Sequence, residues 1–135
     1  MKQFIIFLFS LSVIACSSNL DKDNDENTIA NTSWTRTVNK QIPDLNSDKI
    51  WDYSWNVVVA FYEDGRVTYS SIAISGPNAG NRYGDGLYNY DGSNTIYFED
   101  FSVGDVLYEK AEVAGNSLLL YKLGATRPSE TFIKM

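Results

Sequence analysis

Residues 53–75 read YSWNVVVAFYEDGRVTYSSIAIS, and this stretch decides the fold class. The five odd-numbered positions from Tyr53 to Phe61 are all apolar, which is the period-2 pattern of a strand that buries one face. A turn signal follows at Asp64-Gly65, and β-branched and aromatic residues resume at Val67. Because both flanks favour strand and the turn between them is short, the segment predicts an antiparallel hairpin.

Two registers of this hairpin are open. A two-residue turn at Asp64-Gly65 pairs Phe61 with Thr68, whereas a three-residue turn with a glycine bulge pairs Phe61 with Val67. A slip of one residue exchanges the two faces of a strand, so the register decides which side chains are buried. We favour the bulge, because it places Val67 beside the apolar face of the preceding strand.

The same pattern continues through the rest of the chain, where turn residues separate short aromatic and β-branched runs. No stretch holds apolar residues at helical spacing for three turns, so we expect little helix. Turns at Asp91-Gly92 and Gly115-Asn116 predict further hairpins, and the second turn places Val113 opposite Leu118. Eight strands are predicted, over residues 34–39, 53–62, 67–75, 87–90, 95–101, 106–114, 117–123 and 131–134.

Two connections are longer than the usual hairpin loop. Residues 40–51 contain Pro43 and several charges, and we expect a loop with a short helical turn. Residues 76–86 are rich in glycine, and we expect a flexible flap. Long loops on a rigid scaffold often carry binding sites, so these two loops mark the candidate binding end of the domain.

Eight short strands with mostly hairpin connections predict an all-β, eight-stranded antiparallel up-and-down barrel, because closure removes the exposed edges of an open sheet. A β-sandwich is the alternative. Five motifs carry a family resemblance, and they are NTSW (31–34), FYEDGRV (61–67), GLYNY (86–90), AEVAGNSLLL (111–120) and TFIK (131–134). With these motifs, residues 30–135 resemble the lipocalin-like domains of bacterial lipoproteins, and the resemblance implies a lipocalin-like barrel.

The start of the chain has a different character. Lys2 precedes Phe4–Ile14, an apolar run of 11 residues. That run is shorter than the ~20 residues of a membrane-spanning helix and is typical of a signal peptide. Val13-Ile14-Ala15-Cys16 resembles the lipobox of bacterial lipoproteins. The resemblance implies a signal peptide over residues 1–15 and acyl chains, such as palmitate, on Cys16.

Residues 16–29 are polar and acidic, so we expect a lipidated, disordered tether that buries too little surface to fold. Two or three acyl chains hold a protein on a bilayer, whereas one chain binds only marginally. An acidic run after the lipidated cysteine resembles the surface-export signal of some Gram-negative lipoproteins. That resemblance implies an outer-membrane location with exposure at the cell surface.

Composition restricts the chemistry of the chain. The 135 residues include one cysteine and no histidine, and the formal net charge is −6. Without histidine the chain lacks the commonest metal ligand and the usual general base, and it contains no Gly-x-Ser-x-Gly, Ser-x-x-Lys or Walker motif. An acidic balance argues against nucleic acid. We therefore expect no catalysis, no metal site, no cofactor and no nucleic-acid partner.

Two functions remain. In the first, the open end of the barrel binds a small apolar or sugar-like ligand under the 76–86 flap, through Tyr53, Trp55, Tyr69 and Tyr88. In the alternative, a barrel filled by side chains binds another protein at the cell surface and takes no ligand. Aromatic residues are compatible with both, because they line ligand sites and also fill small barrels. An internal void of a few hundred Å³ would indicate ligand binding.

Overall fold

A computed structural model describes residues 29–135, which form a closed barrel of eight antiparallel strands without helix. Each strand pairs with its neighbours in sequence, and pairing of Trp34 with Lys134 and of Thr35 with Ile133 closes the barrel. The predicted eight-stranded up-and-down barrel is confirmed, and the sandwich is not formed. The strands are β1 (Thr32–Pro43), β2 (Ile50–Phe61), β3 (Arg66–Ser75), β4 (Arg82–Tyr90), β5 (Thr95–Val103), β6 (Val106–Ala114), β7 (Ser117–Lys122) and β8 (Glu130–Lys134).

The segments predicted to precede the barrel lie almost wholly outside the described residues. These are the signal peptide over residues 1–15, the lipidation site Cys16 and the tether as far as residue 28. Ile29, assigned from sequence to the tether, is only 3% exposed and packs in the core, so it is part of the folded barrel. Between residues 29 and 135 no helix has the length and hydropathy needed to cross a bilayer.

The register of the β2–β3 hairpin follows the bulged turn. Phe61 pairs with Val67, and Gly65 adopts a φ of +86°, a conformation that glycine accepts without steric cost. Asp64 stabilises the turn by accepting a hydrogen bond from the backbone N–H of Arg66 at 3.1 Å. The favoured register is therefore confirmed. In the β6–β7 hairpin the predicted pairing of Val113 with Leu118 is confirmed as well.

One end of the barrel is tightly packed. It is the end that carries the β2–β3, β4–β5 and β6–β7 turns, and Ile29 lies there. Phe61 meets Tyr88 edge to face at 5.1 Å and stacks on Phe98 at 6.4 Å, geometries that aromatic pairs prefer. The largest fully buried side chains of the described residues are Trp34, Phe61, Phe101, Phe132, Ile96, Leu118 and Leu120.

The expectation of a flap over residues 76–86 is wrong in its second half. Arg82–Gly86 belong to β4, and only residues 76–81 connect it to β3. The glycines in this part reflect close packing of strands and not loop flexibility. A Cβ on Gly84 would come within 2.2 Å of the carbonyl oxygen of Ser102 on the neighbouring strand.

A bulge in β5 explains why the packed end holds so many aromatic rings. Asp100 adopts a φ of +53° and shifts the register against β4. The shift resets the alternation of faces, so Phe98 and Phe101 both point inward and their rings lie 4.7 Å apart. Gly86 leaves the space for this, because a Cβ there would lie 2.5 Å from the Cα of Phe101.

Half of the loop expected over residues 40–51 is strand. Only residues 44–49 lie between β1 and β2, and they form a turn without helix. The ends of the two strands pair only with each other, and Gln41 donates a hydrogen bond to Asp52 at 3.0 Å. The alternating apolar signal is weak in this extension because both faces are exposed to solvent, and the sequence therefore resembles a loop.

Candidate functional site

A cavity of about 370 Å³ opens at the end of the barrel opposite the packed end. All eight strands contribute to its wall, and Gly80 and Ser129 bring in the β3–β4 and β7–β8 connections. The barrel is thus filled at one end and hollow at the other. The apolar part of the wall consists of Val38, Trp55, Val57, Val103 and Val106.

The cavity exists because small inward-facing side chains occupy the middle of the barrel, between the aromatic packed end and Trp55 at the mouth. On β3 the inward positions run from Tyr69 to Ser71, and the serine is only 7% exposed. On β2 they run from Phe61 through Val59 to Val57, all almost completely buried. Closed eight-stranded barrels have an interior that side chains can just fill, so shortening these side chains leaves a void.

Glu130 organises the polar part of the cavity wall. Its carboxylate accepts a hydrogen bond from the hydroxyl of Tyr69 at 3.1 Å and a second one from the hydroxyl of Tyr108. Nη1 of Arg36 lies 3.7 Å from the same carboxylate, and the side chain of Glu130 is 13% exposed. Two hydrogen-bond donors and one ion-pair partner, from three different strands, therefore hold one partly buried carboxylate.

The two tyrosines are hydrogen-bond donors at any physiological pH. Burial raises the pKa of Tyr69 to about 12, and the negative charge of Glu130 adds to the shift. Burial also raises the pKa of Tyr108, and its hydrogen bond to Glu130 contributes. Both phenols therefore remain protonated near pH 7. A tyrosine that acts as a general base would have to be ionised at that pH.

The cavity wall is strongly basic. Four of its residues, Arg36, Lys40, Arg82 and Lys122, are cationic, whereas Glu130 is the only acidic one. This local balance is opposite in sign to the net charge of −6 carried by the chain. Of the ion pairs formed within residues 29–135, only that of Arg36 with Glu130 involves a cavity residue.

Trp55 ties the mouth of the cavity to the β3–β4 connection. Its Nε1 donates a hydrogen bond to the carbonyl oxygen of Gly80 at 3.1 Å. Tyr53 stacks on Trp55 with ring centroids 5.6 Å apart, and its hydroxyl donates to the carbonyl oxygen of Pro77 at 3.0 Å. The connection over residues 76–81 is therefore anchored beside the mouth by two aromatic side chains.

The structure brings together only part of the site predicted from sequence. Trp55 and Tyr69 line the cavity, and Tyr53 lies behind Trp55. Tyr88 is 5% exposed and lies in the packed end, where its hydroxyl donates to the carbonyl oxygen of Tyr62 at 2.7 Å. Cys16, predicted to carry the acyl chains, lies outside the described residues.

Apart from Tyr69, sequence reasoning missed the polar residues of the cavity. A signal for some of them was present in β1, where Trp34, Arg36, Val38 and Lys40 share one face. Apolar and basic side chains alternate along that face. Because strand faces alternate, the burial of Trp34 places both basic side chains on the inside.

The described residues and known proteins provide no ready assignment for this cavity. No group of three or more histidine, cysteine, aspartate or glutamate side chains that could hold a metal ion occurs within residues 29–135. The chemical class of any ligand therefore follows from the side chains that line the cavity. Comparison of the chain with protein-family models, with curated proteins and with solved structures found no significant match in any of the three.

Proposed function

We propose that this protein is a bacterial lipoprotein, held at the outer membrane by acyl chains on Cys16, whose lipocalin-like barrel binds a small apolar or sugar-like ligand. The cavity of about 370 Å³ is the observation that carries the binding role. Ligand sites usually occupy about 300–1,000 Å³ and combine an apolar wall with a few polar groups. The wall around Trp55 and Val57, with Ser71 and Glu130 beside it, matches that description.

The position of the cavity suits a tethered binding protein. Ile29, the first described residue, lies at the packed end, on the side of the barrel away from the mouth. The 13 residue-to-residue steps from Cys16 to Ile29 would span about 45 Å if fully extended. A barrel held on such a tether keeps its mouth open to the surroundings.

The cavity also favours ligand binding over the alternative function. A protein-interaction module with a filled barrel needs no interior space, and its inward-facing side chains would be expected to pack as densely as an ordinary core. Here Ser71 occupies a buried inward position in the middle of the barrel wall. A serine at that position leaves space that a larger apolar residue would have filled.

A pair of adjacent serines gives a matched test of binding. Ser71 faces the cavity and Ser70 points to the outer surface, so Ser71→Phe fills the cavity while Ser70→Phe adds the same side chain outside. The probe is N-phenyl-1-naphthylamine, a neutral fluorophore that brightens in apolar sites. We expect saturable binding to the wild-type protein and to Ser70→Phe, and loss of binding in Ser71→Phe. Equal binding by all three proteins, or none by the wild type, would refute the binding role.

The anchoring role has its own test. Cys16→Ser removes the acyl attachment point, so we expect the protein to leave the membrane fraction of expressing Gram-negative cells. Its intact mass should also lack the acyl chains that the wild-type protein carries. A variant that still sediments with membranes would contradict anchoring through Cys16, and the binding test above would be unaffected.

A further inference from the structure

The basic residues of the cavity form a connected arrangement on the inner wall. In the strand register Arg36 pairs with Val57, Val57 pairs with Ser71, and Ser71 pairs with Arg82. One row of paired residues therefore runs across four adjacent strands with an arginine at each end. The hydroxyl of Ser71 lies between the two arginines in this row.

A further cation faces the same cavity from the opposite side of the barrel. Lys122 on β7 pairs with Tyr108 on β6, and both residues line the cavity. Lys40, four residues beyond Arg36 on β1, adds another charge toward the mouth. Basic side chains from three strands (β1, β4 and β7) therefore surround one space.

Glu130 is already engaged and cannot balance these charges. Its carboxylate accepts hydrogen bonds from Tyr69 and Tyr108 and faces Arg36. Arg82 donates one bond, to the carbonyl oxygen of Val103 at 3.3 Å, and a carbonyl carries no net charge. Within residues 29–135, Arg82, Lys40 and Lys122 form no ion pair. Like charges that converge without a counter-charge repel one another, and a bound anion removes that repulsion.

We infer that the ligand is a small amphiphilic organic anion, whose acid group lies among Arg36, Arg82 and Lys122 and whose apolar part lies against Trp55 and the valines of the wall. This inference rests on the proposed function, because it names the class of ligand for the same cavity. Arginine and lysine bind carboxylates and phosphates through charge-assisted hydrogen bonds, and arginine does so in a bidentate geometry. The acid group is therefore either a carboxylate or a phosphate ester.

The test is competition against bound N-phenyl-1-naphthylamine, which carries no charge. Decanoate, decyl phosphate and decan-1-ol share one alkyl chain and differ in the head group, so they isolate the contribution of the anion. We expect one of the two anions to compete at least about tenfold more tightly than the alcohol. The better anion identifies the acid group. Raising the salt concentration should weaken binding of the anion and leave binding of the alcohol unchanged.

Charge-removing variants locate the acid group. Arg82→Gln and Lys122→Gln each remove one cavity cation and leave Glu130 unchanged. If one of the two variants does not fold, the other still tests the inference. We expect each to reduce the preference for the anion by about threefold to tenfold while the affinity for the neutral probe is kept. Arg66→Gln is the matched control, because it makes the same change of net charge at the packed end of the barrel.

The outcomes separate this inference from the proposed function. If the probe binds but decan-1-ol competes as well as both anions, the ligand class is wrong and the binding role stands. If the anion preference persists in Arg82→Gln and Lys122→Gln, or falls equally in Arg66→Gln, the cavity cations do not recognise the anion and the inference fails. If the wild-type protein binds neither probe nor anion, the inference and the binding role both fail.

Discussion

Replacement of Glu130 tests whether the polar network is a structural part of the barrel. In Glu130→Ala two hydroxyl donors, on Tyr69 and Tyr108, lose a charged acceptor. A hydrogen bond to a charged group contributes about 1.5–3 kcal/mol, and the lower value applies here because water in the open cavity can replace the acceptor. Two such bonds give a loss of about 3 kcal/mol in the free energy of unfolding. The partly exposed ion pair with Arg36 adds less than about 1 kcal/mol.

Glu130→Gln separates charge from hydrogen bonding, because its side-chain carbonyl still accepts one hydrogen bond. We expect about half the loss of Glu130→Ala, or about 1.5 kcal/mol. Urea denaturation followed by tryptophan fluorescence measures both variants, and Glu99→Ala on the exposed face of β5 controls for the loss of one negative charge. A Glu130→Ala protein as stable as Glu99→Ala would refute the reasoning.

The Glu130→Gln variant also has a spectroscopic signature. Burial and the Glu130 charge raise the pKa of Tyr69 to about 12, so the folded protein holds a proton that the unfolded chain loses near pH 10. This contribution to stability is complete below pH 10 and is lost as the pH rises toward 12. In Glu130→Gln the charge is gone and burial remains, so we expect tyrosinate absorbance to develop at lower pH than in the wild type. An unchanged alkaline titration would show that Glu130 does not govern Tyr69.

Three further predictions concern the scaffold. Gly86→Ala places a Cβ 2.5 Å from the Cα of Phe101, so we expect a loss of about 2 kcal/mol or more in urea denaturation, whereas Gly80→Ala, with no atom within 4 Å, should be nearly neutral. Phe61→Ala removes a ring that is 1% exposed and should cost about 3–5 kcal/mol, and an unchanged melting temperature would contradict its place in the core. The pKa of Asp91 is lowered, chiefly by the backbone N–H of Ser93, so its contribution is present at neutral pH and is lost as the pH falls below about 4. Asp91→Ala should therefore show a flatter decline in stability below that pH, and a decline as steep as that of the wild type would count against the turn contact.

The fold was predictable because it depends on patterns that burial imposes. The apolar residues at every odd position from Tyr53 to Phe61 and the Asp64-Gly65 turn predicted the hairpin and its register. Repeated hairpin signals predicted the number of strands, and the energetic cost of exposed strand edges predicted closure of the sheet into a barrel. Each of these signals is local, or follows from the sum of local ones, so a single sequence carries them.

The candidate site was only partly predictable because a polar inner wall leaves no hydrophobic signal. Arg82 was placed in the expected flap and Lys40 at the start of the expected loop, since alternation fades where strands reach the open end. Glu130 fell just before the last predicted strand for the same reason. In each case the strand extends beyond its apolar segment, so the alternation of inward and outward side chains continues through these polar residues.

The position of Tyr88 illustrates a different kind of error. Its inward direction follows from alternation, but direction does not say which end of the barrel a residue occupies. In an up-and-down barrel each strand runs opposite to the previous one, so a residue late in β4 lies near the same end as the β2–β3 turn. Counting strand directions from Asp64-Gly65 would have placed Tyr88 at the packed end.

The charge of the cavity wall is harder to explain as packing than as function. A barrel of this size could fill its interior with apolar side chains, as its packed end does around Phe61 and Phe101. The open end instead carries four basic side chains and one carboxylate, and the partly buried pair of Arg36 and Glu130 loses contact with bulk water at a cost in stability. Polar groups that weaken a fold persist where they contribute to binding, and proteins commonly trade stability for function in this way. Because the chain as a whole is acidic, this concentration of cations in one cavity favours recognition of an anion over a general preference for basic residues.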